Sequence, residues 1–172
     1  MTSVQDVAAY VIGKQGSVTS VKLQKLVYYS QVWSLIWDDT ELFEQEIQAW
    51  ANGPVVWELF NQYRGLYTID SATAGDSNIL TKSQRDTIDQ VLESYGSLSA
   101  RQLSHLTHAE APWREARRDL PDTASSSAII TLASIVEYYG ALDTSSEAAN
   151  VNDIDWGAWA EWETPDEEDQ YF

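Results

Sequence analysis

The apolar positions of this chain change period several times, and each change marks an element. Val4, Val7, Ala8 and Val11 recur at three- and four-residue spacing, which predicts a helix over residues 3–12 closed by Gly13 and Gly16. A second helix opens at Thr19 or Ser20, either of which can cap it, and runs to Trp37. Leu23, Leu26, Val27, Ser30, Trp33 and Trp37 form one strip of it, while Val21, Tyr28, Val32, Leu35 and Ile36 form another. A helix apolar on two faces is covered on both, so this one is predicted to lie at the centre.

Between residues 42 and 50 the period drops to two: Phe43, Gln45, Ile47 and Ala49 alternate with Glu44, Glu46, Gln48 and Trp50, the pattern of a strand with one wet face. Asn52-Gly53-Pro54 breaks it. Pro54 suits the first turn of a helix that carries Val55, Val56, Leu59, Phe60 and Tyr63 and stops at Gly65. Residues 66–80 read as a loop, with a short strand over 66–69 placed to pair with the first. Further helices are predicted over residues 81–95, 100–107 (capped by Ser97 or Ser99), 112–118 with Pro112 in the first turn, and 127–139. The expected fold is mainly α: one compact helical domain over residues 1–142, with a central buried helix and a small β element of one or two short strands.

Charge changes the picture at the C-terminal end. Residues 1–118 carry 14 Asp or Glu against 10 Lys or Arg, whereas residues 119–172 carry 13 acidic residues and no basic one. Such a segment repels nucleic acid and anionic membrane, because phosphate binding needs Lys and Arg. A basic protein partner is attracted instead, and its encounter accelerated. Residues 143–172 form an acidic tail with Trp156, Trp159 and Trp162 at intervals of three. Two readings of it stay open: a solubilising terminus, or a segment that folds onto its own domain or onto a partner. The absence of cysteine excludes disulfide and thiolate chemistry and fits a reducing compartment. No stretch approaches the ~18 apolar residues of a membrane span and no leader pattern opens the chain, so a cytoplasmic location is expected.

Both histidines and three of the ten basic residues fall within residues 103–118, LSHLTHAEAPWREARR. His105 and His108 would share a helix face, with Glu110 close by. A zinc site needs three or four ligands at known spacings, and no cysteine is present to complete one; neither metal nor cofactor is expected. Ser104 and Thr107 flank the histidines, but no GxSxG elbow accompanies them, and a triad is defined by geometry, not by sequence adjacency. GKQGS at residues 13–17 lacks the spacing of a phosphate loop. No catalytic residue is assigned.

Three blocks carry a resemblance: KLQKLVYYSQVW at residues 22–33, FEQEIQAWANGPVVWELFNQYRG at 43–65 and LSHLTHAEAPWREAR at 103–117. In this order and at this separation they resemble the Panacea domain of the SocA-like antitoxin family, over about residues 18–140. The resemblance implies a mainly helical domain without catalytic activity. It also implies a neutralising role in bacterial or phage toxin–antitoxin pairs, phage defence included, against a cognate toxin such as a translation-blocking, small alarmone-synthetase-like enzyme. Some relatives act instead as adaptors that deliver a toxin to a cellular protease, for which a terminus ending in Tyr171-Phe172 would offer a contact. Lys22, Lys25, Tyr29, Trp50, Thr107, His108 and Trp113 are the matched candidates for partner contact, joined from outside the match by Trp156, Trp159 and Trp162. Gly53, Pro54 and Pro112 read as holding the fold, and Trp113 also fits the core. His108 is open between core and toxin.

Overall fold

The structure is a computed structural model describing residues 2–144; Trp156, Trp159, Trp162 and the rest of residues 145–172 lie outside the described residues. Along the chain the elements are α1 (Val4–Gln15), β1 (Val18–Thr19), α2 (Ser20–Trp37), β2 (Ile47–Trp50), β3 (Gly53–Val56), α3 (Trp57–Gln62), β4 (Thr68–Ile69), a 3-10 turn (Ser77–Ile79), α4 (Lys82–Tyr95), α5 (Ala100–Ala109), α6 (Ala111–Arg117), β5 (Ile129–Ile130) and α7 (Leu132–Thr144). The architecture is mainly α, as expected, and its small β part consists of a two-stranded and a three-stranded sheet.

Helix starts follow local chemistry. Ser3, Thr81 and Ser99 each accept from the backbone three residues on, and each receives a side chain back at its own N–H, closing capping boxes on α1, α4 and α5. Thr19 caps α2, and the Thr131 hydroxyl accepts from Ser134 N at the start of α7. Gly13 does not close the first helix. A helical glycine costs only about 1 kcal/mol, so α1 continues to Gln15, and Gly16, with φ at 82°, ends it.

α2 is the centre. Leu23, Leu26, Val27, Tyr28, Tyr29 and Val32 are all 1% exposed or less, each such apolar burial stabilising by roughly 1.5–3 kcal/mol, and α1, α4, α5 and α7 pack around it. It also buries Gln24, Lys25, Ser30, Gln31 and Ser34. These polar groups serve the neighbouring backbone. The Gln31 amide donates to Phe43 O at 2.8 Å and accepts from Leu42 N at 2.7 Å. Gln24 donates to Val56 O at 3.1 Å and accepts from Val56 N at 2.9 Å, and Lys25 Nζ donates to Pro54 O at 3.2 Å. Helix side chains thus satisfy the outer edge of β3 as another strand would.

Four sequence expectations are corrected here. The alternation over 42–50 becomes a strand only from Ile47, since its partners β3 and β5 both end their pairing there, at Ile47↔Val56 and Ile47↔Ile130. Gly53 and Pro54 open strand β3, and the helix waits until Trp57. Pro54 is tolerated because it faces Ala49, whose N–H donates to Ala128 O at 2.8 Å and whose carbonyl accepts from Arg117 Nη1 at 2.9 Å. No ladder bond falls on the missing proline N–H. The strand near residue 68 pairs with β1, not with β2, because the chain entering α2 claims it: Ser20 N donates to Tyr67 O at 3.0 Å. Within the predicted helix 127–139, Ile129 and Ile130 extend the sheet as β5, and the helix begins at Leu132.

Candidate functional site

The three blocks, far apart in sequence, meet in one place. Gly53 has a φ of 116°, a region closed to most side chains, and it is also crowded. A Cβ there would stand 2.6 Å from Lys25 Cε and 2.9 Å from Thr107 Oγ1. One residue of each block therefore meets at a single backbone position. Lys25 is fully buried, and burial pulls its pKa down to about 7. Thr107, equally enclosed, turns its hydroxyl to Ser104 O at 2.8 Å. Lys22, one turn away, is half-buried and donates to Gly96 O at 2.6 Å.

A second junction lies deeper. Tyr29 donates to Glu110 Oε1 at 2.5 Å and Tyr139 to the same oxygen at 2.9 Å, while the Tyr28 and Tyr139 hydroxyls are 3.1 Å apart. Tyr29 stacks on Tyr95 with centroids 4.2 Å apart. Burial raises the Glu110 carboxyl to about 7 against the lowering effect of the two tyrosine hydrogen bonds. A buried carboxyl ringed by phenols holds α2, α7 and the α5–α6 corner in register.

The third junction ties α6 to the hairpin. Trp113, 1% exposed, donates its indole N–H to Trp50 O at 2.8 Å, and the His108 ring stacks on it at 3.9 Å with planes 14° apart. Burial lowers the His108 pKa to about 4, and its Nε2 is enclosed without a hydrogen-bond partner; the ring is neutral near pH 7. Arg117, also buried, reaches Ala49 O, Pro121 O, Asp122 O and Ala124 O. It gathers the 121–124 loop onto the sheet.

Lys25, Tyr29, Gly53, Pro54, Thr107, Pro112 and Trp113 are thus interior, Lys22, Trp50 and His108 half-buried. His108 faces Trp113 and the core. Among the described residues no group of three or more His, Asp or Glu side chains is arranged to hold a metal ion; Glu110, the carboxylate nearest the histidines in sequence, is engaged by Tyr29 and Tyr139. Sequence reading missed Gln24, Gln31 and Arg117 as backbone-satisfying groups, although all three stand inside or beside the quoted blocks.

It also passed over an exposed aromatic cluster where the hairpin runs into α3. Trp57 is 41% exposed, with its ring 6.2 Å from Trp50 and 5.4 Å from Phe60. The Arg64 guanidinium sits 5.3 Å from the Trp57 centroid and 5.4 Å from that of Phe60. Beside it opens a groove of about 510 Å³ between Gln48, Trp50, Ala51 and Trp57 on one wall and Ser125, Ser126 and Ser127 on the other. The only signal in the sequence was the density of tryptophan within one block. No helix among the described residues is long and apolar enough to cross a membrane.

A family model described as antitoxin SocA-like, Panacea domain, matches residues 23–114, 92 of the 172 positions. No curated protein and no solved structure matches the chain.

Proposed function

From the premise that the chain belongs to the SocA-like antitoxin family of Panacea domains, we propose that it neutralises a cognate protein toxin by binding it directly. The observation carrying this reading is the division of labour within the matched region. The buried side chains of its three blocks converge to hold the fold, and α3, directly after the hairpin, turns Trp57 outward, as interfaces do. Neutral His108 and the enclosed Thr107 hydroxyl are committed to packing and to a backbone carbonyl, which supports binding over catalysis. The chain's formal charge of -17 favours a toxin with a basic surface. A translation-blocking enzyme that grips anionic substrates has such a surface.

The test is co-expression with the product of the adjoining reading frame. Restored growth together with a co-purifying complex is the expected outcome, and the absence of both refutes the reading. Persistence of the partner at constant level in a reconstituted protease reaction separates occlusion from delivery to a protease.

A further inference from the structure

We infer that β5 is the toxin's docking edge: an extended segment of the toxin pairs with it through main-chain hydrogen bonds and adds a strand to the three-stranded sheet. The inference rests on the antitoxin reading above and gives that reading a surface and a mode of contact.

β5 lies at the end of its sheet, beside β2 alone. Its register fixes which of its backbone groups are used. Ala49 N donates to Ala128 O at 2.8 Å, and Ile47 stands opposite Ile130, so these are the hydrogen-bonded positions of the antiparallel ladder. Ile129, opposite Gln48, lies between them, and its N–H and C=O point away from β2. Neither group has a partner among the described residues, and Ile129 is 39% exposed. The other edge of the sheet is closed, because Gln24 and Lys25 bond to β3. Strand edges are commonly guarded by charge or proline, yet residues 125–131, SSSAIIT, contain neither. A residue of an incoming antiparallel strand placed opposite Ile129 would exchange both bonds with it.

Space for such a strand is present. A groove of about 770 Å³ opens between Ala128 and Ile129 on one side and Glu115, Arg118 and Asp119 at the end of α6 on the other. Its charged walls balance, Glu115 and Asp119 against Arg117 and Arg118, so the choice among extended occupants falls to the charge of the whole chain. A second copy brings another -17. The protein's own residues 145–172 bring nine acidic residues and no basic one to a body, residues 1–144, that already holds 18 acidic against 10 basic, and like charges repel. A toxin with a basic surface is drawn in instead. Ser126 borders both this groove and the one beside Trp57, so a toxin strand on β5 lies next to the exposed ring.

The experiment uses the full chain and the product of the adjoining reading frame, with affinity from titration calorimetry and amide exchange followed by NMR. On toxin binding, exchange at the Ile129 amide is expected to slow at least about tenfold, while the Ile130 amide, which already faces β2, changes little. Ile129→Pro removes the outward donor and none of the bonds to β2. It is expected to weaken binding about tenfold to hundredfold, the scale of an interfacial carbonyl left without its donor. Ile129→Ala keeps the donor and is expected to stay within about threefold of wild type. A thermal scan checks that both variants fold, and exchange in the unaltered chain decides the question if the proline variant does not. A loss in Ile129→Ala equal to that in Ile129→Pro overturns main-chain pairing. Unchanged exchange at Ile129 in a tight complex removes the edge and leaves the antitoxin reading standing. Protection of Ile129 in the isolated chain that rises with concentration assigns the edge to a second copy, and protection lost on deleting residues 145–172 assigns it to the chain's own terminus; either result overturns the toxin as occupant. A wild-type chain that neither binds nor rescues growth overturns both readings.

Discussion

Replacing Gly53 by alanine tests whether the three blocks are bound together at one backbone position. Two costs apply. The φ of 116° is strained for any residue with a Cβ, at about 1–3 kcal/mol. The new methyl would also stand 2.6 Å from Lys25 Cε and 2.9 Å from Thr107 Oγ1. The lysine terminus is the softer neighbour, but moving it gives up the 3.2 Å bond to Pro54 O inside a sealed site, and overpacking of this kind costs about 1–3 kcal/mol more. The sum is roughly 2–6 kcal/mol, a large part of the 5–15 kcal/mol that holds a domain folded, and it lowers Tm by about 4–24 °C at 2–4 °C per kcal/mol. Gly65→Ala is the reference, because Gly65 has a comparable φ of 84° with nothing within 4 Å of the new Cβ, leaving only a conformational cost of about 1–2 kcal/mol. Urea titration of both variants separates the terms. Equal destabilisation of the two would refute the claim that Lys25, Gly53 and Thr107 are packed against each other.

Glu110 should leave a signature in the pH dependence of stability. Its folded pKa, about 7, lies above the ordinary carboxyl value of 4.5, so the folded state holds the extra proton and this group's stabilisation fades as pH rises from 4.5 to 7. His108, lowered to about 4, acts oppositely from pH 4 to 6.5, and Lys25, lowered to about 7, adds stability from 7 to 10.5. Glu110→Gln should therefore steepen the rise in stability between pH 4.5 and 7, measured by urea midpoints; parallel profiles for variant and parent would refute the assignment. Arg117→Lys keeps the charge but cannot reach the four carbonyls the guanidinium serves, and should cost about 2–4 kcal/mol, with faster amide exchange across residues 118–128; unchanged exchange there would show that Arg117 does not order the loop. Removing residues 145–172 while keeping α7 should weaken toxin binding and flatten its salt dependence, since nine of the acidic charges go with them; the same affinity and salt slope would take the tail out of recognition.

Much of this protein was determined by local chemistry that a sequence displays. The helical period, the capping side chains Ser3, Thr81 and Ser99, and the two-faced apolar pattern of α2 act within a few residues of one another, so they can be read before any contact is known. The same holds for the order of the three blocks and for the charge imbalance. What only the tertiary structure decided depends on partners distant in sequence. Pro54 suits a helix start as well as it suits a strand, and the choice fell to Ala49, whose hydrogen bonds go to Ala128 and Arg117 and so demand none from proline. Gln24, Lys25 and Gln31 look like the wet side of a helix, yet they are buried because the backbone of residues 42–43 and 54–56 needed donors and acceptors. His108, chemically conspicuous in sequence, became a neutral ring on Trp113, and Trp57, one aromatic among many, became exposed. Burial is a property of what packs opposite a residue, and a chain does not carry that information until it has folded.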